Sequence, residues 1–279
     1  MIYIPIIGAL SLAVSSLLEK IILKSREIKP QNLIVALFAI AILFMLPFMF
    51  FFWKIDPLAW KGINLLILAG IVFFSILANF FAFYSLKREK ITHLEPVRLL
   101  EPLFVVLLAF IFFSSERNPK IIIPAFIAGL VLILSHIKRH HLKINKYILA
   151  GIAGSLFYAI DLILTKTILD YYNPLTLYFI RSCFVLVFSF LIFRPNLIRG
   201  FDKKEKFFLI TIGIAWVVFR VATYYGYIYL GVVSTTLVLM LAPMFVYMLA
   251  RIFLKEKLEW KNIASTIIIL GCVLYATLA

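Results

Sequence analysis

Acidic residues are scarce in this chain: 13 Asp and Glu stand against 28 Lys and Arg in 279 residues, and the four charged types together make up 15%. A soluble protein ordinarily devotes about a quarter of its residues to charge, so this chain cannot clothe a water-facing surface. Cysteine is limited to Cys183 and Cys272, both inside apolar runs. That excludes a disulfide framework and a cysteine metal site. The histidines are His93, His136, His140 and His141, with no HExxH pattern and no glycine-rich phosphate loop. Transport driven by nucleotide hydrolysis within the chain is thereby excluded. No nucleophile–base pairing emerges either, so the expectation is a protein that is not an enzyme and has neither cofactor nor metal.

What the chain has in abundance is apolar surface. Hydrophobic residues make up 64%, and mean hydropathy is +1.07. Apolar runs long enough to cross a bilayer recur from Met1 to Ala279, and helices are the structure that such runs can adopt in lipid. A net charge of +15 would otherwise suggest nucleic acid. Here the basic residues sit between the apolar runs, where anchoring and orientation place them, so the expected partner is the lipid bilayer, with no nucleic acid.

Breaks at charges, prolines and turn residues give ten spans: 3–23, 31–53, 63–86, 92–113, 121–137, 147–168, 174–193, 207–229, 231–254 and 262–278. Residues 1–24 lack the basic start and cleavage site of a removable signal. Loops one, three, five, seven and nine carry 18 Lys and Arg, against five on the other side (Lys54, Lys61, Arg117, Lys120 and Lys166). Excess Lys and Arg marks the cytoplasmic side, which places both termini outside and predicts a multi-pass protein of the plasma membrane.

The chain also aligns with itself. A shift of 141 lays PLFVVLLAFIFF (102–113) on PMFVYMLARIFL (243–254), pairing Pro102 with Pro243 and Asn79 with Arg220. A shift of 146 pairs Gly8 with Gly154, Ser15 with Asp161 and Lys20 with Lys166. Two five-helix repeats follow, 1–145 and 146–279. Because five is odd, the second enters the bilayer from the opposite side. Inverted repeats are a recurring transporter construction, with the substrate site near the midplane between the halves.

These blocks, in their order, resemble the EamA-like branch of the drug/metabolite transporter superfamily over essentially the whole chain. The apolar-Pro-Phe block, acidic turn and following span read APMFVYMLARIFLKEKLEWKNIASTIIILG (242–271), with Glu256 at the family's usual glutamate. In the first half they read EPLFVVLLAFIFFSSERNPK (101–120), with Glu116 displaced by one residue. FYSLK (83–87) fits the family's third-helix ending, and Lys20 and Lys166 match the basic residue closing each first helix. The resemblance implies a ten-helix, all-α fold and export of amino acids or related metabolites, by proton coupling or facilitated diffusion. It also puts Asp161 and Ser15 at positions that line a cavity. The chain departs from the family in a charge-rich fourth helix and in Asp161, where a neutral polar residue is more usual.

Charges inside a membrane are expensive and mark function. Arg220 falls near the middle of span eight and Arg181 in span seven, with Glu19, Glu95, Glu101 and Asp161 as candidate partners. Trp216, Arg220, Thr223 and Tyr227 follow helical spacing on one face, so Trp216 and Tyr227 could frame the guanidinium by cation–π contact. Tyr224, Tyr225 and Tyr229 read as packing or as part of an interfacial belt. Glu95, Arg98 and Glu101 recur at i,i+3, a spacing that permits ion pairing along one helix. Pro96 and Pro102 kink that helix by removing backbone donors. The expected substrate-binding set is Arg220, Arg181, Asp161, Glu101, Trp216, Tyr227, Asn79, Ser15 and Tyr158. Glu101, Pro102, Pro243 and Arg98 are the expected coupling and gating residues. Together they describe a secondary transporter exporting a small polar metabolite such as an amino acid or other carboxylate, with protons as a candidate co-substrate, acting as a monomer or homodimer. The alternatives are a carrier of phosphorylated metabolites and a non-transporting membrane scaffold.

Overall fold

Apolar runs between basic loops become helices wherever the structure, a computed structural model, describes the chain: residues 1–23, 29–88, 100–136, 146–194, 202–254 and 260–278. The first repeat contains α1 (Tyr3–Leu23), α2 (Pro30–Phe52), α3 (Gly62–Arg88), α4 (Leu100–Phe112) and α5 (Pro119–His136). The second contains α6 (Lys146–Ile168), α7 (Pro174–Phe193), α8 (Lys203–Tyr229), α9 (Val232–Leu239), α10 (Ala242–Leu254) and α11 (Trp260–Leu278). Glu95, Pro96, Arg98 and Glu256 lie outside the described residues.

Local chemistry sets the helix starts. Pro30 and Pro174 occupy the first turns of α2 and α7, where a missing N–H costs nothing. Asn173 caps α7 by accepting from the Leu175 N–H at 3.0 Å. Asp202 and Glu205 form a reciprocal capping box at α8. The ninth span, expected to be continuous over 231–254, is instead broken at Met240–Leu241 into α9 and α10. Pro243 is the second residue of α10, where its ring suits a first turn and would disrupt a helix interior.

The helices pack as the sequence repeat requires. α3 lies along α6 and α1 along α8, each pairing the third helix of one repeat with the first helix of the other. α2 meets α7, and α5 meets α11. Glycine sets the closeness of both long pairs. A Cβ at Gly154 in α6 would stand 3.1 Å from the Ala82 nitrogen and 3.4 Å from the Ala78 carbonyl oxygen of α3. A Cβ at Gly8 in α1 would stand 3.2 Å from Ala222 Cβ and 3.6 Å from the Phe219 carbonyl oxygen of α8. Ala78 and Phe219 are themselves 141 residues apart, so the two glycine contacts are repeat images of one another. Side chains such as Phe50, Phe51 and Leu43 point outward, toward what in a bilayer are acyl chains.

Because backbone rather than a flexible side chain faces Gly154, the site cannot yield to a larger residue. Gly154→Val is expected to destabilise the purified protein by about 1–3 kcal/mol, the usual cost of overpacking. At Gly271 in α11 an added methyl would meet nothing within 4 Å, so Gly271→Ala should leave thermal unfolding unchanged or raised. Equal melting of wild type and Gly154→Val would remove the close-packing account.

Candidate functional site

Three helices of the second repeat bring their charged residues to one point. Asp161 of α6, Arg181 of α7 and Arg220 of α8 are 0%, 1% and 5% exposed. Arg181 Nη2 donates to Asp161 Oδ2 at 2.7 Å, and Arg220 Nη2 stands 3.7 Å from the same oxygen. One carboxylate oxygen thus serves two guanidinium groups. In an apolar interior neither arginine is tolerable without such a partner.

Arg181 is held further. Its Nη1 donates to the Tyr224 hydroxyl at 2.8 Å, and its Nη2 also donates to Ser75 Oγ at 2.7 Å. Ser75 comes from α3, so the first repeat reaches into a charge cluster otherwise built by the second. Tyr178 packs edge-on against Tyr224, with centroids 6.2 Å apart, and lies 5.8 Å from the Arg181 guanidinium. Arg220 is held less completely. The Tyr158 ring lies 4.1 Å from its guanidinium carbon and Phe219 lies 5.7 Å away. Arg220 Nη1 and Asp161 Oδ1 are both buried without a hydrogen-bond partner. Buried polar atoms are ordinarily paired, so an orphan donor and an orphan acceptor in one buried cluster single it out as the candidate site.

The expected site residues do not all assemble here. The aromatics over Arg220 are Tyr158 and Phe219, in place of the expected Trp216 and Tyr227. Trp216 turns elsewhere: its indole N–H donates to Glu19 Oε1 at 2.8 Å, and its ring stacks at 6.3 Å on Phe83. Sharing a helical face with Arg220 fixes direction from the axis but leaves one turn between them, and Glu19 on α1 claims the indole. Tyr227 is 1% exposed, and its hydroxyl has no hydrogen-bond partner. Glu101 of α4 lies within electrostatic reach of Tyr158 and Tyr227. Asn79 and Ser15 are buried and bond back to their own helices, at Ser75 O (2.8 Å) and Leu12 O (3.0 Å). Pro102 sits in the first turn of α4 as described and Pro243 at the start of α10.

Ser75 and Tyr224 bond to Arg181 in the charge cluster although neither is in the expected set, and Tyr224 is neither mere packing nor part of an interfacial belt. The available signal is position: both fall at the depth of the intramembrane arginines. Removing the Tyr224 hydroxyl leaves an Arg181 donor buried and unpaired, which typically costs about 1–3 kcal/mol. Tyr224→Phe should lower thermal stability by that amount, whereas Tyr225→Phe, a half-buried ring stacked on Tyr229, should change it little. Indistinguishable melting of the two variants would mean that Tyr224 does not hold Arg181.

The EamA-like transporter family matches this chain twice, over residues 1–137 and 145–278. Among curated proteins none gives a significant match. A solved structure titled "Crystal structure of protein" is similar over 99% of this chain and 96% of its own, with a TM-score of 0.75 at 16% identity. That likeness establishes the fold alone. The paired match, two five-helix repeats and apolar helices make the chain a multi-pass membrane protein and a transporter rather than an enzyme, embedded in lipid and acting on a small molecule: it belongs to the EamA-like transporter family of the drug/metabolite transporter superfamily.

Proposed function

We propose that this transporter exports a small polar metabolite bearing a carboxylate, an amino acid above all, across the plasma membrane by alternating access. The observation that carries the reading is a pair of orphan atoms in the buried cluster: Arg220 Nη1, a donor, and Asp161 Oδ1, an acceptor, each without a hydrogen-bond partner. A substrate carboxylate would take the free prong of Arg220, whose planar fork suits carboxylates. An ammonium would be read by Asp161 or Glu101. A carboxylate beside two arginines favours a substrate carrying both signs of charge over a doubly charged phosphoryl group, which Asp161 would repel. Tyr158, stacked on Arg220, would form one wall.

A division of the repeats at residue 145 with the site between them is supported by the hydrogen bond from Arg181 of the second half to Ser75 of the first. The excess of Lys and Arg in the odd-numbered loops supports a cytoplasmic position for those loops, so export runs toward the side of loops two, four, six and eight. Asp161 and Glu101 are the groups that would carry a coupled proton. Arg181, held by Asp161, Ser75 and Tyr224, orients the carboxylate, and Arg220 meets the substrate.

Proteoliposomes loaded with unlabelled amino acid should accumulate the labelled compound by counterflow, a behaviour that a scaffold lacks. Arg220→Lys keeps the charge but loses the fork. It should insert normally and bind at least about tenfold more weakly, a loss of roughly 1.4 kcal/mol. Replacing Asp161 or Glu101 by its amide should flatten the pH dependence of net flux if that residue carries the proton. Counterflow with near-normal affinity in Arg220→Lys would place the substrate elsewhere.

A further inference from the structure

One face of the molecule is stitched shut by contacts between the repeats, and a single side chain makes the most specific of them. Loop four leaves α4 through a short 3-10 turn, Ser114–Glu116. Arg117 braces that turn by donating to the Phe110 and Ile111 carbonyl oxygens, both at 3.0 Å. The turn aims Glu116 at the second repeat, where its two carboxylate oxygens accept the backbone N–H groups of Val232 at 2.6 Å and Val233 at 3.1 Å. These are the first residues of α9, donors that a helix leaves unpaired, and the negative charge also suits the positive end of the helix dipole.

Gly231 completes the fit for two reasons. Its φ of +84° lies where side-chain-bearing residues are strained. A Cβ there would also stand 2.7 Å from Glu116 Oε1. The glycine that ends loop eight therefore leaves room for the carboxylate from loop four. On the same side, loops two and six are joined by the Ile55–Tyr172 bridge, by Asp56 N–H to Tyr171 O (2.8 Å) and by Asn173 N–H to Lys54 O (3.0 Å). To these backbone contacts the neutral Thr176 hydroxyl adds two, donating to the Phe52 carbonyl oxygen at 2.8 Å and accepting from the Lys54 N–H at 3.3 Å. The Glu116 contact depends on a charge and on one side chain, and it grips a short half-helix already separated from α10 by the break at Met240–Leu241.

We propose that Glu116 is a gating residue: its carboxylate latches α9 to the first repeat and holds the face of loops two, four, six and eight closed. Opening on that face exchanges the carboxylate for water at the Val232 and Val233 amides and lets α9 move away from α4. The purpose of such a latch rests on the transport reading above, but its existence is tested without measuring flux.

The test uses the full chain with Cys183 and Cys272 replaced by serine and one reporter cysteine at Thr236, which is 4% exposed on α9. An impermeant maleimide is applied to intact cells and to inverted vesicles. The compartment that labels Ser115→Cys, on exposed loop four, identifies the latch face whatever the orientation. From that face, Glu116→Ala should raise the labelling rate of Thr236→Cys by about tenfold or more. Gly231→Ala should do the same, and Glu116→Gln, which retains one acceptor, should give a smaller rise. Lys120→Ala, an exposed charge on the same face, should give none. Ser189→Cys, buried near the opposite end of α7, should stay protected. An unchanged rate in Glu116→Ala and Gly231→Ala, an equal rise in Lys120→Ala, or equal gains at Thr236 and Ser189 would each overturn the latch. Absence of counterflow in the wild type would sink the transport reading and leave the labelling result intact.

Discussion

The second repeat depends on one carboxylate oxygen. Asp161 Oδ2 lies 2.7 Å from Arg181 and 3.7 Å from Arg220, and without it two guanidinium groups would sit deep among apolar helices with their charges uncompensated. A buried pair of this kind contributes little net stability, because desolvation consumes most of the Coulomb gain. Its importance is positional. Charges that must meet fix the rotation of α6, α7 and α8 about their own axes. Apolar helices lack the one-sided patterning that would otherwise fix rotation.

The same constraint explains why the site breaks the symmetry of the fold. The glycine contacts at Gly8 and Gly154 are repeat images, as are the α1–α8 and α3–α6 pairs that they bring together. The charges are not. Asp161 corresponds to Ser15 and Arg220 to Asn79, and each of those first-repeat residues satisfies itself on its own helix. Duplication supplies two halves built on the same plan. Substitution in one half alone supplies a polar centre, with Ser75 reaching across from the other.

Much of this is legible in the sequence for physical reasons. Bilayer thickness forces span lengths, so helix positions follow from apolar runs. Desolvation makes Asp161, Arg181 and Arg220 conspicuous because so few charges are inside. What stays hidden depends on the rotation and closeness of helices. From spacing alone, the Trp216 indole could as well meet Arg220 as Glu19. Ser75 and Tyr224 carry no charge to single them out among many hydroxyl-bearing residues in spans. The break at Met240–Leu241 is masked by an apolar run that continues through it. Glu116 is visible as a family-like glutamate, whereas its grip on the α9 amides emerges only in three dimensions, since the partners are backbone atoms more than a hundred residues away.

If Asp161 neutralises two arginines in the place where a substrate anion competes for Arg220, removing its charge should create a deficit that an added anion can fill. Thermal unfolding of purified Asp161→Asn, with and without a small carboxylate such as acetate, measures that deficit. The amide keeps the shape and removes the charge. Without anion the variant should lose stability markedly, since breaking a buried pair on one side costs about 3–5 kcal/mol. Acetate should then restore stability far more in the variant than in the wild type. An Asp161→Asn protein that melts with the wild type and ignores acetate would contradict a shared counterion at Asp161 and, with it, an anion site at Arg220.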